Sequence, residues 1–111
     1  MKICISYPPI HSEKGVPLLS QNRQFQYFQS PTYIYPVVPA YAATMLDNAG
    51  YEVVWADGIA EERSYAQWLS NLVHVSPDVI MIETKTPVVK KHWAIIGDLK
   101  DALPDKPCCT L

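Results

Sequence analysis

A short apolar segment that ends at two prolines constrains the fold of this chain more than any other feature. Residues 2–7 read KICISY, and Pro8 and Pro9 follow directly. Residues 3–5 are consecutively apolar and do not alternate with polar ones, which is typical of a strand covered on both faces in a parallel sheet. Because proline has no N–H to donate to a neighbouring strand, the strand is predicted to end there.

Apolar strands and amphipathic helices alternate along the rest of the chain. The further predicted strands are residues 51–56, residues 79–82 and the opening of a fourth strand from residue 108. The predicted helices are residues 37–49, 60–73 and 87–103. This alternation favours an α/β fold, in which a parallel sheet carries helices on both faces.

The first helix is predicted to bury one stripe of side chains, because apolar residues recur in it at helical spacing. The stripe consists of Val38, Ala42, Met45 and Ala49. Gly50 follows at the position where a helix commonly ends with a residue of positive φ.

The second and third helices are predicted to start in different ways. Glu61 and Glu62 are expected in the first turn of the second helix, where negative charge is favourable for the helix dipole. Thr86 is expected to cap the third helix, with Pro87 as its first residue. The inward side chains of the third helix are predicted to be Val88, His92, Ile95 or Ile96, Leu99 and Leu103.

Composition and charge exclude several classes of protein. The chain has 111 residues, a net charge of −2 and no cluster of four or more basic residues, unlike a nucleic-acid binder. No apolar stretch approaches the about 20 residues that span a bilayer, and the N-terminal stretch is too short for a secretory signal. One cytoplasmic domain over residues 1–111 is expected, with neither nucleic acid nor membrane as a partner.

The cysteines are expected to be small buried apolar residues. They are Cys4, Cys108 and Cys109. A metal site is the weaker alternative, because the chain contains no C-x2-C spacing.

Residues 10–36 show neither a helical nor a strand period and interleave amide side chains with aromatic ones. A loop of this length inside a compact domain is usually functional or disordered, and the aromatic residues argue against disorder. It is therefore predicted to contribute to a ligand site or to a recognition surface.

A ligand of a doubly wound sheet binds beyond the carboxyl ends of the strands, where the strand order reverses. If the order is 2-1-3-4, residues 7–11 and 83–87 converge at that point. The amides of residues 84–86 would lie near a helix N-terminus, which favours anions. That Thr86 and Pro87 form only a helix cap is a compatible alternative. Glycine-rich loops of nicotinamide and nucleoside triphosphate sites are absent from the sequence.

Three segments, in this order and at this spacing, resemble one family: KICISYPP, YPVVPAYAATMLDNAGYEVVWADG and PDVIMIETKTP. Together they are similar to the N-terminal cobalamin-binding domain of B12-dependent radical S-adenosylmethionine (SAM) enzymes. The resemblance covers nearly the whole chain. It implies a three-layer, flavodoxin-like (Rossmann-type) parallel sheet of strand order 2-1-3-4, with the corrin ring over the strand ends.

The resemblance and the predicted convergence of residues 7–11 and 83–87 together define a candidate site for cobalamin. The candidate cofactor-binding residues are Tyr7, Pro8, Pro9, Ile10, Tyr35, Pro36, Glu83, Thr84, Lys85, Thr86 and Pro87. The family also implies a radical SAM partner domain, with S-adenosylmethionine and a [4Fe-4S] cluster, for methyl transfer or ring rearrangement. The family's last strand and helix and its C-x3-C-x2-C motif do not occur here, so a fragment with a sheet incomplete at its C-terminal edge is expected.

His11 is the candidate cobalt ligand of the loop. Other cobalamin modules carry D-x-H-x-x-G after the first strand, and that His ligates cobalt. Here Pro9 replaces the Asp, and Gly15 comes one residue late. Because a ligating imidazole normally needs a partner for its other nitrogen, no metal ligand is predicted, and His11 remains the alternative.

Two functions of different classes remain open at this point. In the first, the chain binds cobalamin and catalysis resides in a partner domain, because no nucleophile–base pair is visible in these residues. In the second, the chain is a flavodoxin-like protein-interaction module without a cofactor, and residues 10–36 form its docking surface. Binding of another small molecule or of a nucleotide in the same cleft is a third possibility.

Overall fold

The computed structural model describes residues 1–10, 14–18, 26–28 and 37–110. The strands are β1 (Lys2–Tyr7), β2 (Val16–Leu18), β3 (Gln26–Phe28), β4 (Glu52–Asp57), β5 (Val79–Ile82) and β6 (Cys108–Thr110). The helices are α1 (Val37–Asn48), α2 (Tyr65–Val75) and α3 (Val89–Ala102), and a 3-10 turn (Thr86–Val88) precedes α3. Within the described ranges, no helix combines the length and the apolar character needed to cross a membrane.

β1 lies in the centre of a parallel sheet. It pairs along its whole length with β4 on one side and with β5 on the other, so that Cys4 lies between Val54 and Ile80. The order β4-β1-β5 confirms the predicted α/β fold and the predicted arrangement of its first three strands. On the far side of β5, β6 pairs in parallel over three residues.

The helices lie on both faces of this sheet. Right-handed connections place α1 on one face and place α2 and α3 together on the other. A hydrogen bond from the Tyr65 hydroxyl to Asp98 Oδ2, at 2.6 Å, joins α2 to α3. The connection from β1 to β4 and the connection from β4 to β5 run in opposite directions, so the strand order reverses between β1 and β5.

The core is centred on β1, whose residues 3–7 are all buried, as the apolar segment predicts. Ser6 is the polar exception among them and is fully buried. Its hydroxyl donates to the Ala56 carbonyl at 2.8 Å and accepts from Trp68 Nε1 at 2.8 Å. Because the Ser6 hydroxyl and the Trp68 indole N–H both find partners, this arrangement joins β1, β4 and α2 without leaving either donor unsatisfied.

The expectation of buried cysteines is confirmed for Cys4, and its burial raises the pKa of the thiol to about 12. Cys108 is only half-buried, and the side chain of Cys109 lies outside the described residues.

The predicted inner stripe of α1 is wrong. The side chains of Val38 and Met45 are 60% and 71% exposed, and the helix buries Pro39 instead. Asp47 is the one charged residue among the twelve of this helix. Apolar spacing identifies a buried face only when the other faces are polar, so the pattern could not select one here.

The end of α1 is as predicted. Gly50 has φ of 95° and donates to the Asp47 carbonyl, as in a Schellman motif.

α2 begins later than predicted, at Tyr65. The Asp57 carboxylate accepts hydrogen bonds from the N–H groups of residues 59 and 60 and holds the chain in a turn. Glu61 and Glu62 lie in this turn and not in the helix. Ser64 then caps the helix in a reciprocal capping box with Gln67.

The predicted cap of the third helix is also wrong. Thr86 and Pro87 belong to the 3-10 turn, and α3 begins at Val89. The buried face of α3 is confirmed at His92, Ile95 and Leu99. Pro87, which has no N–H to donate, is tolerated in the first turn of a 3-10 helix as well as in that of an α-helix. Its position in the sequence therefore does not distinguish the two.

Part of the predicted loop 10–36 has regular structure. β2 and β3 form an antiparallel pair in which Val16 lies opposite Phe28. Strands of three residues are too short to show a period in the sequence.

Gly58 lies where β4 ends beside the exit of β1. Its N–H donates to the Tyr7 carbonyl oxygen at 2.8 Å. A Cβ atom at position 58 would lie 2.7 Å from Pro9 Cδ and 3.0 Å from Trp68 Cδ1. Both neighbours are buried, and close-packed groups have little room to move aside.

We predict that Gly58→Ala lowers the free energy of unfolding by about 1–3 kcal/mol, because the added methyl group overpacks this contact. Gly97→Ala is the matched control, since a Cβ there has no atom within 4 Å. In the middle of α3 this change should stabilise by about 0.5–1 kcal/mol. Urea denaturation followed by circular dichroism measures both. Equal stability of Gly58→Ala and wild type would contradict the contact.

Candidate functional site

The carboxyl ends of β1 and β5 meet at the reversal of strand order, and two side chains join them. Tyr7, the last residue of β1, donates its hydroxyl to Glu83 Oε2 at 2.5 Å. Glu83 follows β5 directly. The two residues are 76 positions apart in the chain, and the parallel pairing of β1 with β5 brings them together. The predicted convergence of the two segments is therefore present at Tyr7 and Glu83.

Lys85 completes a charged group around Glu83. Its Nζ lies 3.1 Å from Glu83 Oε1, so the two carboxylate oxygens are held by different donors. The Glu83 side chain is 14% exposed and that of Lys85 is 27% exposed. The carboxylate of Glu83 therefore lies between a hydroxyl donor and an ammonium donor, and hydrogen bonds to charged groups are among the stronger ones in proteins.

Tyr7 stays protonated at this site. Burial raises the pKa of Tyr7 most, and the hydrogen bond to Glu83 and the charges of Glu83 and Asp57 raise it further. The hydroxyl hydrogen therefore remains on Tyr7 and points at the Glu83 carboxylate. The ring of Tyr7 is tilted against that of Trp55, with 6.0 Å between their centroids.

Asp57 lies beside Tyr7 at the end of β4 and belongs to the same edge. Burial raises the pKa of Asp57, while hydrogen bonds from the N–H groups of Ala60 and Ile59 oppose the shift. Asp57 is not among the site residues predicted from the sequence. An Asp followed by Gly at a strand end was the available signal, because this position faces the same edge as the loops after β1 and β5.

The remaining predicted site residues fall into three groups. Pro8, Pro9 and Ile10 follow β1 directly and are buried. Thr86 and Pro87 are exposed in the 3-10 turn, and Thr84 is half-buried. Tyr35, Pro36 and His11 lie outside the described residues, so their predicted roles stay predictions.

His92 is predicted to face inward on the third helix, and its burial is confirmed. The ring is fully buried on α3, and Nδ1 lies 2.6 Å from Thr84 Oγ1. Its Nε2 has no hydrogen-bond partner among the described residues. Burial lowers the pKa of His92 to about 4, so the ring is neutral at physiological pH. His92 thereby contacts the site through Thr84.

The opposite edge of the sheet carries a separate charged group. Asp78 accepts from the Lys2 backbone N–H at 2.8 Å and from Lys106 Nζ at 3.1 Å. These contacts lower the pKa of Asp78 and join the amino ends of β1 and β5. His74 lies in the last turn of α2, near this edge. In the part of the chain that the structure describes, no three metal-ligating side chains form a cluster.

Comparisons with protein-family models, with curated proteins and with solved structures found no match to this chain. A function is therefore inferred from its residues and from the geometry of this edge.

We predict that stability falls between pH 6.5 and 4 because of His92. Its folded pKa lies below the unfolded value, so the unfolded state binds the proton first. The contribution of His92 is complete above about pH 6.5 and is lost as pH falls towards 4, with a total of roughly 3 kcal/mol.

Urea denaturation at pH 7.5 and at pH 4.5 tests this. His92→Asn should remove most of the pH dependence that His92 contributes, whereas the exposed His74→Asn should leave it in place. The prediction fails if both variants show the pH dependence of the wild type.

Proposed function

We propose that this chain is the cobalamin-binding module of a B12-dependent radical SAM enzyme, of the methyltransferase or ring-rearranging type. The corrin ring lies over the carboxyl ends of a flavodoxin-like sheet of order 2-1-3-4. One observation carries the proposal: Tyr7, Glu83, Thr84 and Lys85 converge where the strand order reverses between β1 and β5. Ligands of doubly wound sheets bind at such a point.

The polar groups of this edge fit the chemistry of cobalamin. The corrin rim carries amides, which both donate and accept hydrogen bonds. Glu83 offers carboxylate lone pairs to an amide N–H, while Lys85 and Thr84 offer donors to a carbonyl or to the phosphate of the nucleotide tail. The 3-10 turn Thr86–Val88 separates these residues from the N-terminus of α3, whose dipole favours negative charge.

No described histidine is placed to ligate cobalt. His92 is buried and joined to Thr84, and His74 lies near the opposite edge of the sheet. Lys85 is already paired with Glu83. The described part of the chain therefore binds and orients the corrin without supplying a metal ligand.

Bound cobalamin would supply the cobalt chemistry of methyl transfer or rearrangement. The side chains of this chain bind the corrin and hold it in position. A radical SAM domain with S-adenosylmethionine and a [4Fe-4S] cluster would be the partner that performs catalysis.

We predict that the purified chain retains hydroxocobalamin in stoichiometric amounts after gel filtration, as measured by corrin absorbance. Lys85→Met should weaken binding roughly five- to tenfold, the equivalent of about 1–1.4 kcal/mol for one lost charge-assisted contact. Lys106→Met is the matched control, because Lys106 also has an acidic partner at 3.1 Å but lies at the opposite edge.

A second matched pair separates the site from general stability. Tyr7→Phe removes a tyrosine–carboxylate hydrogen bond at the site, and Tyr65→Phe removes one between α2 and α3. Only Tyr7→Phe should weaken corrin binding. A wild-type chain that is folded and retains no corrin would refute the proposed function.

We predict that Co(II) cobalamin bound to the chain shows no protein imidazole nitrogen in its electron paramagnetic resonance spectrum. The reason is that His92 is fully buried, that His74 lies near the opposite edge of the sheet, and that the residues around His11 depart from the ligating motif. His11→Ala should leave the spectrum unchanged. A nitrogen splitting that is absent from free base-off cobalamin and disappears in His11→Ala would show that His11 ligates cobalt.

One observation favours the second function, a protein-interaction module without a cofactor. The outer face of α1 exposes Val37, Val38, Tyr41 and Met45, and exposed apolar patches often mark interaction sites. The corrin experiment separates the two functions, since an interaction module would fold without retaining corrin.

A further inference from the structure

The contact between Thr84 and His92 determines which kind of ligand group can bind beside Lys85. Thr84 lies in the loop after β5, between Glu83 and Lys85, and is half-buried. Its Oγ1 is 2.6 Å from His92 Nδ1, which is a short hydrogen bond. A hydroxyl can donate or accept, so the distance alone does not say which atom carries the shared hydrogen.

The ring of His92 carries a single hydrogen on one of its two nitrogens. Burial disfavours the charged ring and lowers its pKa to about 4. In one tautomer Nδ1 is bare and accepts from Thr84, and Nε2 then carries an N–H. In the other tautomer Nδ1 carries the N–H and donates to Thr84, and Nε2 is a bare lone pair.

The surroundings of Nε2 distinguish the two tautomers. His92 has no solvent-accessible surface, so Nε2 does not contact solvent. Nε2 also has no hydrogen-bond partner among the described residues. A buried N–H without an acceptor is rarer in proteins than a buried acceptor without a donor. The first tautomer would leave such an N–H on the inner face of α3.

We infer that His92 Nδ1 carries the hydrogen and donates it to Thr84 Oγ1, so that Thr84 presents its own hydroxyl hydrogen to a ligand acceptor. His92 is then a positioning residue, which acts through Thr84 and touches no ligand. Thr84 and the neighbouring Lys85 together form a pair of donors at the strand end.

The chemistry of this pair selects an oxygen acceptor, and this step rests on the proposed function. In cobalamin the acceptor is either an amide carbonyl of the corrin rim or a phosphate oxygen of the nucleotide tail. Cobinamide has the corrin rim and lacks the phosphate and the base, so it distinguishes the two sources.

The tautomer is tested on the wild-type chain without ligand. Long-range proton–nitrogen correlation NMR on ¹⁵N-histidine-labelled protein at pH 7 distinguishes a protonated ring nitrogen from a bare one. The chain has three histidines, and His11→Asn and His74→Asn assign the remaining signals to His92. Protonated Nδ1 with bare Nε2 is expected. Bare Nδ1 with protonated Nε2 would overturn the inference.

The donor role of Thr84 is tested by binding. Thr84→Val should weaken hydroxocobalamin binding roughly fivefold, as expected for one hydrogen bond of about 1 kcal/mol. Thr84→Ser should bind as the wild type does. A loss for hydroxocobalamin alone identifies the phosphate as the acceptor, and a loss for cobinamide as well identifies a rim carbonyl. Unchanged binding of both ligands by a folded Thr84→Val would refute the donor role.

His92 variants separate positioning from packing. His92→Asn places an amide near the former Nδ1 and can still donate to Thr84, whereas His92→Leu fills the space without a donor. His92→Leu should weaken hydroxocobalamin binding, and His92→Asn should largely keep it, even if both variants lose stability. Equal losses would show that His92 only fills the core.

The two proposals fail in different ways. If the folded wild-type chain binds no hydroxocobalamin, the proposed function falls, and the NMR experiment still decides the direction of the Thr84–His92 hydrogen bond. If corrin binds and Nδ1 is bare, the proposed function stands and the inference about Thr84 falls.

Discussion

The parallel pairing of β1 on both of its edges is the constraint on which the rest of the structure depends. Lys2–Tyr7 lies between β4 and β5, so both neighbouring strands take their register from it. Its buried serine extends the same dependence to α2, because Ser6 bonds to β4 and to Trp68 at once. Such a strand cannot shift by one residue without turning Ser6 to the other face of the sheet and breaking its buried polar contacts.

The candidate site follows from that pairing and from the reversal of strand order beside it. Two strand ends lie next to each other, and their loops leave in different directions, so polar side chains meet there without a helix over them. The Glu83 carboxylate joins the two ends through Tyr7, and Lys85 contacts its other oxygen from the same loop. Thr84, immediately after it, is joined to the core of α3 through His92. The edge is thereby preorganised before any ligand binds.

Sequence reasoning succeeded where burial leaves a one-dimensional pattern. The apolar strands, the α/β order and the convergence of residues 7 and 83 follow from such patterns. It failed for the buried face of α1, because a helix that is apolar on several faces has no preferred side. It also placed the start of α2 at Ala60, five residues too early. The Asp57 turn competes with helix formation there, and the Ser64 cap starts the helix at Tyr65. Side-chain partners such as Tyr7 with Glu83 depend on atoms brought together from distant positions, and no local pattern encodes them.

The close approach of Gly58 to Pro9 also limits the order in which these two positions can change during evolution. Gly58 and Pro9 form the closest of the three contacts that a side chain at position 58 would meet. Replacing Pro9 with a smaller residue first would remove the closest contact and leave those with Trp68 and the Tyr7 carbonyl oxygen, whereas replacing Gly58 first would have to pass through a more strongly overpacked intermediate. The effects of the two substitutions are therefore not additive. The exit of β1 and the end of β4 are expected to evolve as a coupled pair, with the proline changing before the glycine.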